Sequence, residues 1–135
     1  MVPFVLLSFS LAALMVCGGI TASAAFLAQR DVQSVCDGAA IAAANAIDEG
    51  SYFGSAGHAE VPLTDQSVAV AVTDYLADAS AGPAAEMDSW TASTDGRTVE
   101  VACTRNVALP FAEIFLGGQD LPRIATASAR SPFAP

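Results

Sequence analysis

The chain opens with 29 residues that carry no charged side chain, "MVPFVLLSFSLAALMVCGGITASAAFLAQ", and the first charge is Arg30. A helix needs about 20 apolar residues to cross a bilayer core, so this segment is long enough. A cleaved secretory signal is a second interpretation, because Ala22-Ser23-Ala24 has the form of a cleavage site. A buried core helix is a third. The sequence favours a transmembrane helix over residues 1–29, since a signal has a basic n-region and a shorter apolar run, and a domain this small has little room to enclose such a helix.

The same helix is expected to continue beyond the apolar segment. After Arg30 the apolar residues recur at the spacing of one helical face: Val32, Val35, Cys36, Ala39, Ala40, Ala43 and Ile47. We predict one helix from about residue 3 to residue 48, ended near Gly50, which suits the position after a helix. Within the apolar half, Gly18 and Gly19 are candidates for close helix packing in the membrane, because small residues let helices approach each other in lipid.

The segment "LTDQSVAVAVTDYLADASAG", residues 63–82, carries two conflicting signals. Its valines alternate as in a strand, but its apolar residues also repeat as in a helix. Thr64 is a suitable N-cap and Asp65 an acidic first-turn residue. We therefore predict a second helix here, after a glycine-rich loop over residues 50–62.

Three strands are expected in the C-terminal part of the chain. "EMDSWTAST" is followed by Asp95-Gly96, a favoured hairpin turn, and then by "RTVEVACTRNVAL", in which Val99, Val101 and Cys103 share one face. "PRIATASARS" is the third strand, and "PFAEIFLGG" before it is expected to form a short helix or turn. The predicted fold class is α+β: a long N-terminal helix, a second helix and a small antiparallel sheet of about three strands.

The three cysteines leave one unpaired. Cys17 lies in the apolar segment and is expected to be a reduced, small hydrophobic residue. Cys36 and Cys103 lie on the apolar faces of the long helix and the middle strand. They either form a disulfide that joins helix to sheet, which requires an oxidising compartment, or are two separate buried thiols.

Composition excludes several function classes. The chain has five arginines, no lysine and fourteen acidic residues, a net charge of −9, so it lacks the basic surface that nucleic acid or anionic lipid requires. His58 is the only histidine, with no partner at metal-ligand spacing. We predict no catalytic residue, no metal site and no cofactor, and therefore no enzyme.

Five residues are candidates for an interface with a neighbouring molecule. Asp37 is a charged residue on an otherwise apolar and small-residue stretch of helix, although it also fits the polar edge of an amphipathic helix. The other four lie in the "PFAEIFLGG" segment and either close the open end of the core or contact a partner subunit or lipid: Phe111, Ile114, Phe115 and Leu116.

The stretch "LAQRDVQSVCDGAAIAAANAI" resembles the region after the membrane helix in TadE/TadG-like proteins of the bacterial Tad (Flp) pilus-assembly system. The family pattern R-x-x-(L/V)-Q-x-x-x-D-x-A-A-L-A-A-A is matched by Arg30, Gln33, Asp37 and the alanines that follow. "VTDYLAD", "DGRTVEVACTRNVALPFAEIFLG" and "ATASARS" are similar to the helix, the hairpin with its "LPF" turn, and the last strand of actinobacterial relatives.

This resemblance implies a pilin-like, non-enzymatic structural component, a minor pilin or pseudopilin. It implies a single-pass protein of the bacterial cytoplasmic membrane, with residues 1–29 in the bilayer and the head domain, residues 30–135, outside the cytoplasm. The implied partners are other pilin or pseudopilin subunits, membrane assembly components and the lipid around the N-terminal helix. A membrane-tethered or signal-cleaved secreted binding module is the alternative function.

Overall fold

The computed structural model describes residues 1–46, 63–79 and 82–132. In chain order these residues form α1 (Val2–Ala44), α2 (Asp65–Asp78), a 3-10 helix (Pro83–Glu86), β1 (Ser89–Thr94), β2 (Thr98–Val107), α3 (Ala112–Leu116) and β3 (Leu121–Arg130). The α+β fold class is thus confirmed. Gly50, the predicted loop over residues 50–62, Ile47 and His58 lie outside the described residues.

The long N-terminal helix is continuous from Val2 to Ala44. Pro3 lies in its first turn, where a missing N–H leaves no hydrogen bond unmade. The helix ends about four residues before the predicted end at residue 48, with Asn45 as C-cap. Asp48 and Glu49 would place two negative charges at the negative end of the helix dipole, which favours an earlier end.

The second helix confirms the helical interpretation of residues 63–82. Thr64 and Ser67 form a reciprocal capping box at its start, which satisfies backbone N–H groups that a helix leaves free. Val68 and Val72, one turn apart, are fully buried, whereas Val70 is 53% exposed. Alternation would have buried all three valines on one strand face, so the side-chain period that packs is helical.

The three strands form one antiparallel sheet in the order β1-β2-β3. Asp95 closes the β1–β2 hairpin: its Oδ1 accepts hydrogen bonds from the backbone N–H groups of Arg97, at 2.9 Å, and Thr98, at 2.6 Å. These two charge-assisted bonds hold the pKa of the Asp95 carboxyl below its ordinary value of 3.8.

The core lies between one face of the sheet and the two longer helices. The face of β2 that holds Val99, Val101 and Cys103 is buried, as predicted, and Ala125 and Ala127 of β3 lie beside it. The face of α1 predicted to be apolar packs onto these residues: Val32, Val35, Cys36, Ala39, Ala40 and Ala43 are all buried. The C-terminal half of α1 is therefore the central element of the head domain.

The free edge of β3 is bonded to α1 by two glutamine side chains. Gln29 donates from Nε2 to the carbonyl oxygen of Ile124, at 3.1 Å, and Gln33 donates to that of Thr126, at 3.4 Å. Edge-strand carbonyls without partners are a template for unwanted strand pairing. These two bonds therefore fix the register of α1 along the sheet and cover part of its edge.

Candidate functional site

The N-terminal half of α1 projects away from the core. Its first fifteen residues, Val2 to Val16, are all exposed, and its most apolar 18-residue window has a mean hydropathy of 2.1 with no part buried. Among the described residues, α1 is the one helix that is long and apolar enough to cross a membrane, by length and composition. A core helix would be buried at these positions, so the structure argues against the third interpretation of this segment.

A disulfide between Cys36 and Cys103 links α1 to the middle strand, with a Cα–Cα distance of 5.9 Å. Both sulfurs are buried, and the Cys36 Sγ contacts the carbonyl oxygens of Val101 and Ala125, at 3.3 and 3.5 Å. A sulfur in a disulfide has no proton to donate, so these are packing contacts. The bond fastens the long helix to the centre of the sheet, and Cys17 is the cysteine left free.

The chain between β2 and β3 makes a compact turn, residues 108–120, at the end of the sheet nearest the apolar half of α1. We call this segment the membrane-proximal turn, because it lies beside the helix that is long and apolar enough to cross a membrane. It contains the short helix α3, in agreement with the prediction of a short helix or turn for "PFAEIFLGG". Phe111 is the N-cap of α3 and has a φ of 60°, a left-handed conformation that is rare for a bulky residue. Gly117 and Gly118 end it with φ of 63° and 80°, which glycine adopts without steric cost.

The four candidate interface residues of this turn divide between two directions. Leu116 is half-buried and packs, with Ala112 and Leu121, on a small cluster formed by Ala28, Val107 and Leu109. The other three are exposed: Phe111 by 42%, Ile114 by 61% and Phe115 by 44%. One side of the turn therefore closes the end of the core, and the other presents three large apolar side chains.

Two contacts hold the membrane-proximal turn against the apolar half of α1. Thr21 shares its Oγ1 proton between the carbonyl oxygen of Pro110, at 2.8 Å, and that of Cys17 in the preceding turn of α1, at 2.9 Å. Phe115 lies beside Gly18, where its Cζ would be 3.8 Å from an added Cβ. No described atom outside the local helix lies within 4 Å of a Cβ added at Gly19. The head domain thus contacts α1 well inside the charge-free segment.

Asp37 is exposed, and its Oδ1 accepts a hydrogen bond from Nε2 of Gln33, at 2.9 Å. The same Gln33 amide reaches the edge of β3. The structure therefore connects Asp37 to the helix–sheet junction, and its carboxylate remains accessible to a neighbouring molecule.

Sequence reasoning did not predict the contacts of three residues that position these features. Thr21, Gln29 and Gln33 each bond a backbone carbonyl that is distant in sequence. A polar residue on an apolar helical face is a signal for such a bond, because a buried hydroxyl or amide needs a partner. Thr21 carries that signal, being a buried polar residue in a charge-free segment.

Charged side chains elsewhere in the described residues do not converge on one site. Arg105 of β2 forms an ion pair with Glu86, and Arg123 of β3 lies opposite Arg105 in the strand register. Within residues 1–46, 63–79 and 82–132 there is no group of three His, Cys, Asp or Glu side chains that could hold a metal ion.

Comparison with known proteins finds a similarity in the first third of the chain. No curated protein and no solved structure matches the chain. One family model does match, and it is described as "Putative Flp pilus-assembly TadE/G-like". The matched region contains all of α1, from the exposed apolar half to the face that packs on the sheet. The family resemblance found in the sequence is thus confirmed over residues 1–46, which match the TadE/G-like Flp pilus-assembly model.

Proposed function

We propose that this protein is a non-enzymatic structural component of a Tad/Flp-type pilus or a related secretion apparatus, a minor pilin or pseudopilin-like subunit. The family match over residues 1–46 supports the pilus-related role. The architecture supports a structural role, because α1, the helix that could lie in a membrane, also forms the centre of the head domain.

The observation that carries this proposal is the continuity of α1. Its exposed apolar half and its buried half belong to one helix of 43 residues, Val2–Ala44, about 64 Å long at 1.5 Å per residue. No loop separates the two halves, so the orientation of the head follows the orientation of the apolar half. A tethered binding domain has no need of this coupling, whereas a subunit that must stack in a regular assembly does.

The head domain is proposed to lie outside the cytoplasm, on a single-pass protein of the cytoplasmic membrane. The Cys36–Cys103 disulfide supports this orientation, because disulfides form and persist in oxidising compartments and are rare in the cytosol. The residues flanking the span offer little charge signal of their own, since Arg30 is the first charged residue.

Other pilin or pseudopilin subunits and membrane assembly components are the proposed partners. The apolar half of α1 exposes large side chains around its circumference, including Phe4, Phe9, Leu11 and Met15. Lipid covers such a surface while the subunit is in the membrane, and neighbouring apolar helices would cover it in an assembly. Gly19, which has open space beside it, allows one such helix to approach closely.

The alternative function, a membrane-tethered or signal-cleaved secreted binding module, would need a pocket with converging polar groups. One open cleft among the described residues is lined by the membrane-proximal turn itself, including Leu109, Phe111 and Ile114, and no cluster of polar groups from different elements converges on it. This observation favours the structural role.

The test is piliation of the native cell after deletion of the gene and complementation with variants. Wild-type protein should restore surface filaments, and Leu14→Arg, which places a charge in the middle of the span, should not. Val70→Arg is the matched control, because Val70 is an exposed apolar residue on α2. Normal filaments in the deletion strain would contradict the proposal.

A further inference from the structure

We propose that the membrane-proximal turn is a second membrane contact, in which Phe111, Ile114 and Phe115 insert into the leaflet on the side of the head domain. The occupant of this apolar surface is lipid, the acyl-chain and headgroup boundary of a bilayer. The inference rests on the proposed anchoring of α1 and adds a second site, 90 residues further along the chain, that would fix the depth and tilt of the helix.

The depth of the turn follows from its contact with Gly18. A helix takes about 20 residues to cross the hydrocarbon core, and the charge-free segment has 29. A span of that length placed within this segment begins between residues 1 and 10, so it includes Gly18 wherever in the segment it lies. Phe115, which lies beside Gly18, is therefore at the depth of hydrocarbon in every such placement. In the shallowest placement the span ends at residue 20, and Gly18 is then two residues inside its edge, a depth of about 3 Å at 1.5 Å per residue.

The turn is held at this depth by internal contacts. The Thr21 hydroxyl bonds the Pro110 carbonyl, which leaves one fewer free backbone acceptor where water is scarce. Leu116 packs on the small cluster that contains Ala28 of α1, and Ala24 and Ala25 of α1 pack on the same cluster. The remaining three apolar side chains have no described partner that buries them and face outwards, with Ile114 the most exposed at 61%.

Negative charge on the turn limits how deeply the turn can insert into the bilayer. The same charge excludes electrostatic attraction to anionic lipid headgroups as the cause of binding. Glu113 and Asp120 lie on the same segment and are exposed, and the whole chain carries a net charge of −9. A carboxylate is expensive in hydrocarbon, so the turn lies shallow, with its apolar side chains inserted by about 5–10 Å as amphipathic interfacial segments do. The favourable term is burial of apolar surface.

The experiment is depth-dependent fluorescence quenching of the full chain in phosphatidylcholine vesicles. The native Trp90 is replaced by Phe, and a single tryptophan is placed at Ile114. Phosphatidylcholine brominated near the headgroup should quench this tryptophan more than lipid brominated near the chain ends. Phe9→Trp is the control within the span, and Val70→Trp is the control on the head, where lipid should cause no quenching.

Each outcome decides between specific possibilities. If Phe9→Trp is quenched and Ile114→Trp is as unaffected as Val70→Trp, the second contact is wrong and the anchor stands. If Phe9→Trp is also unquenched, the anchor fails and this inference fails with it. Quenching of Ile114→Trp that declines as the protein-to-lipid ratio rises would show that a second copy of the chain covers the turn, which would overturn the assignment to lipid.

Discussion

Gly38 of α1 lies directly against the hydroxyl end of the Tyr75 ring of α2: a Cβ added at Gly38 would overlap the hydroxyl oxygen and would be 2.6 Å from Cζ. Real Cβ atoms do not approach other atoms so closely. The ring is half-buried and packs on the main core, so the absence of a side chain at Gly38 lets the two helices meet.

Gly38→Ala should therefore destabilise the protein. Overpacking costs about 1–3 kcal/mol, which exceeds the gain in helix propensity of up to about 1 kcal/mol. Chemical denaturation of the full chain in detergent measures the difference. The control is the same substitution in a Tyr75→Ala background, where Gly38→Ala should become stabilising. An equal change in stability in both backgrounds would show that the Tyr75 ring is not the reason why a side chain at position 38 is unfavourable.

The Cys36–Cys103 disulfide should contribute substantially to the stability of the head. The two residues are 67 positions apart, and constraint of the unfolded chain is worth roughly 4 kcal/mol for a loop of that size. Cys103→Ser combined with Cys36→Ser should lower the melting temperature, and Cys17→Ser, the matched control, should leave it unchanged. Mass spectrometry of non-reduced peptides should find Cys36 linked to Cys103. Labelling of both Cys36 and Cys103 by a thiol reagent in folded, unreduced protein would contradict the disulfide.

Substitutions in the membrane-proximal turn should separate its two sides. Leu116→Ser removes a half-buried side chain from the small cluster beside α1 and should lower the melting temperature, because burial of such a side chain is worth up to about 1.5–3 kcal/mol. Ile114→Ser removes a side chain that is 61% exposed and should leave the melting temperature equal to that of the wild type within experimental error. Equal losses for the two variants would mean that the outward side of the turn also belongs to the core.

Asp95 should make the stability of the hairpin dependent on pH at the acid end. Its pKa is lowered in the folded protein, from an ordinary value of 3.8, by hydrogen bonds from Thr98 and Arg97. A lowered folded pKa gives a stabilising contribution that is present above the unfolded pKa and is lost as pH falls through the folded pKa. The difference in melting temperature between wild type and Asp95→Asn should therefore shrink as the pH is lowered from neutral to below 3.8. A difference that stays constant over this range would contradict the role of the ionised carboxylate.

Local patterns in the sequence account for most of the fold. The helical spacing after Arg30 identified the buried face of α1 through Ala43, and alternation in β2 identified Val99, Val101 and Cys103 as one buried face. These predictions succeed because side-chain period follows directly from backbone geometry. The end of α1 was placed about four residues too late, since a helix boundary depends on packing and capping more than on period.

The arrangement around the membrane-proximal turn could not be obtained in the same way. The residues joined there are 89 positions apart in sequence for Thr21 with Pro110 and 97 for Gly18 with Phe115. Spacing along one segment carries no information about which distant segment it meets. The spacing of Phe111, Ile114 and Phe115 fits one helical face, but only the position of α1 shows that this face is the outward one and that Leu116 packs inwards.

The central claim is that the apolar half of α1 anchors the protein in a bilayer, and Leu14 lies near the middle of that half. Carbonate extraction of native membranes tests the claim most directly, because it releases peripheral proteins and retains those that span the bilayer. Wild-type protein and Val70→Arg should remain in the membrane pellet. Leu14→Arg should be partly or wholly released, since a charge at the centre of a span costs about 2.5–3.5 kcal/mol of insertion free energy. Release of the wild-type protein by carbonate would contradict the anchor and, with it, the proposed role as a membrane-held pilus subunit.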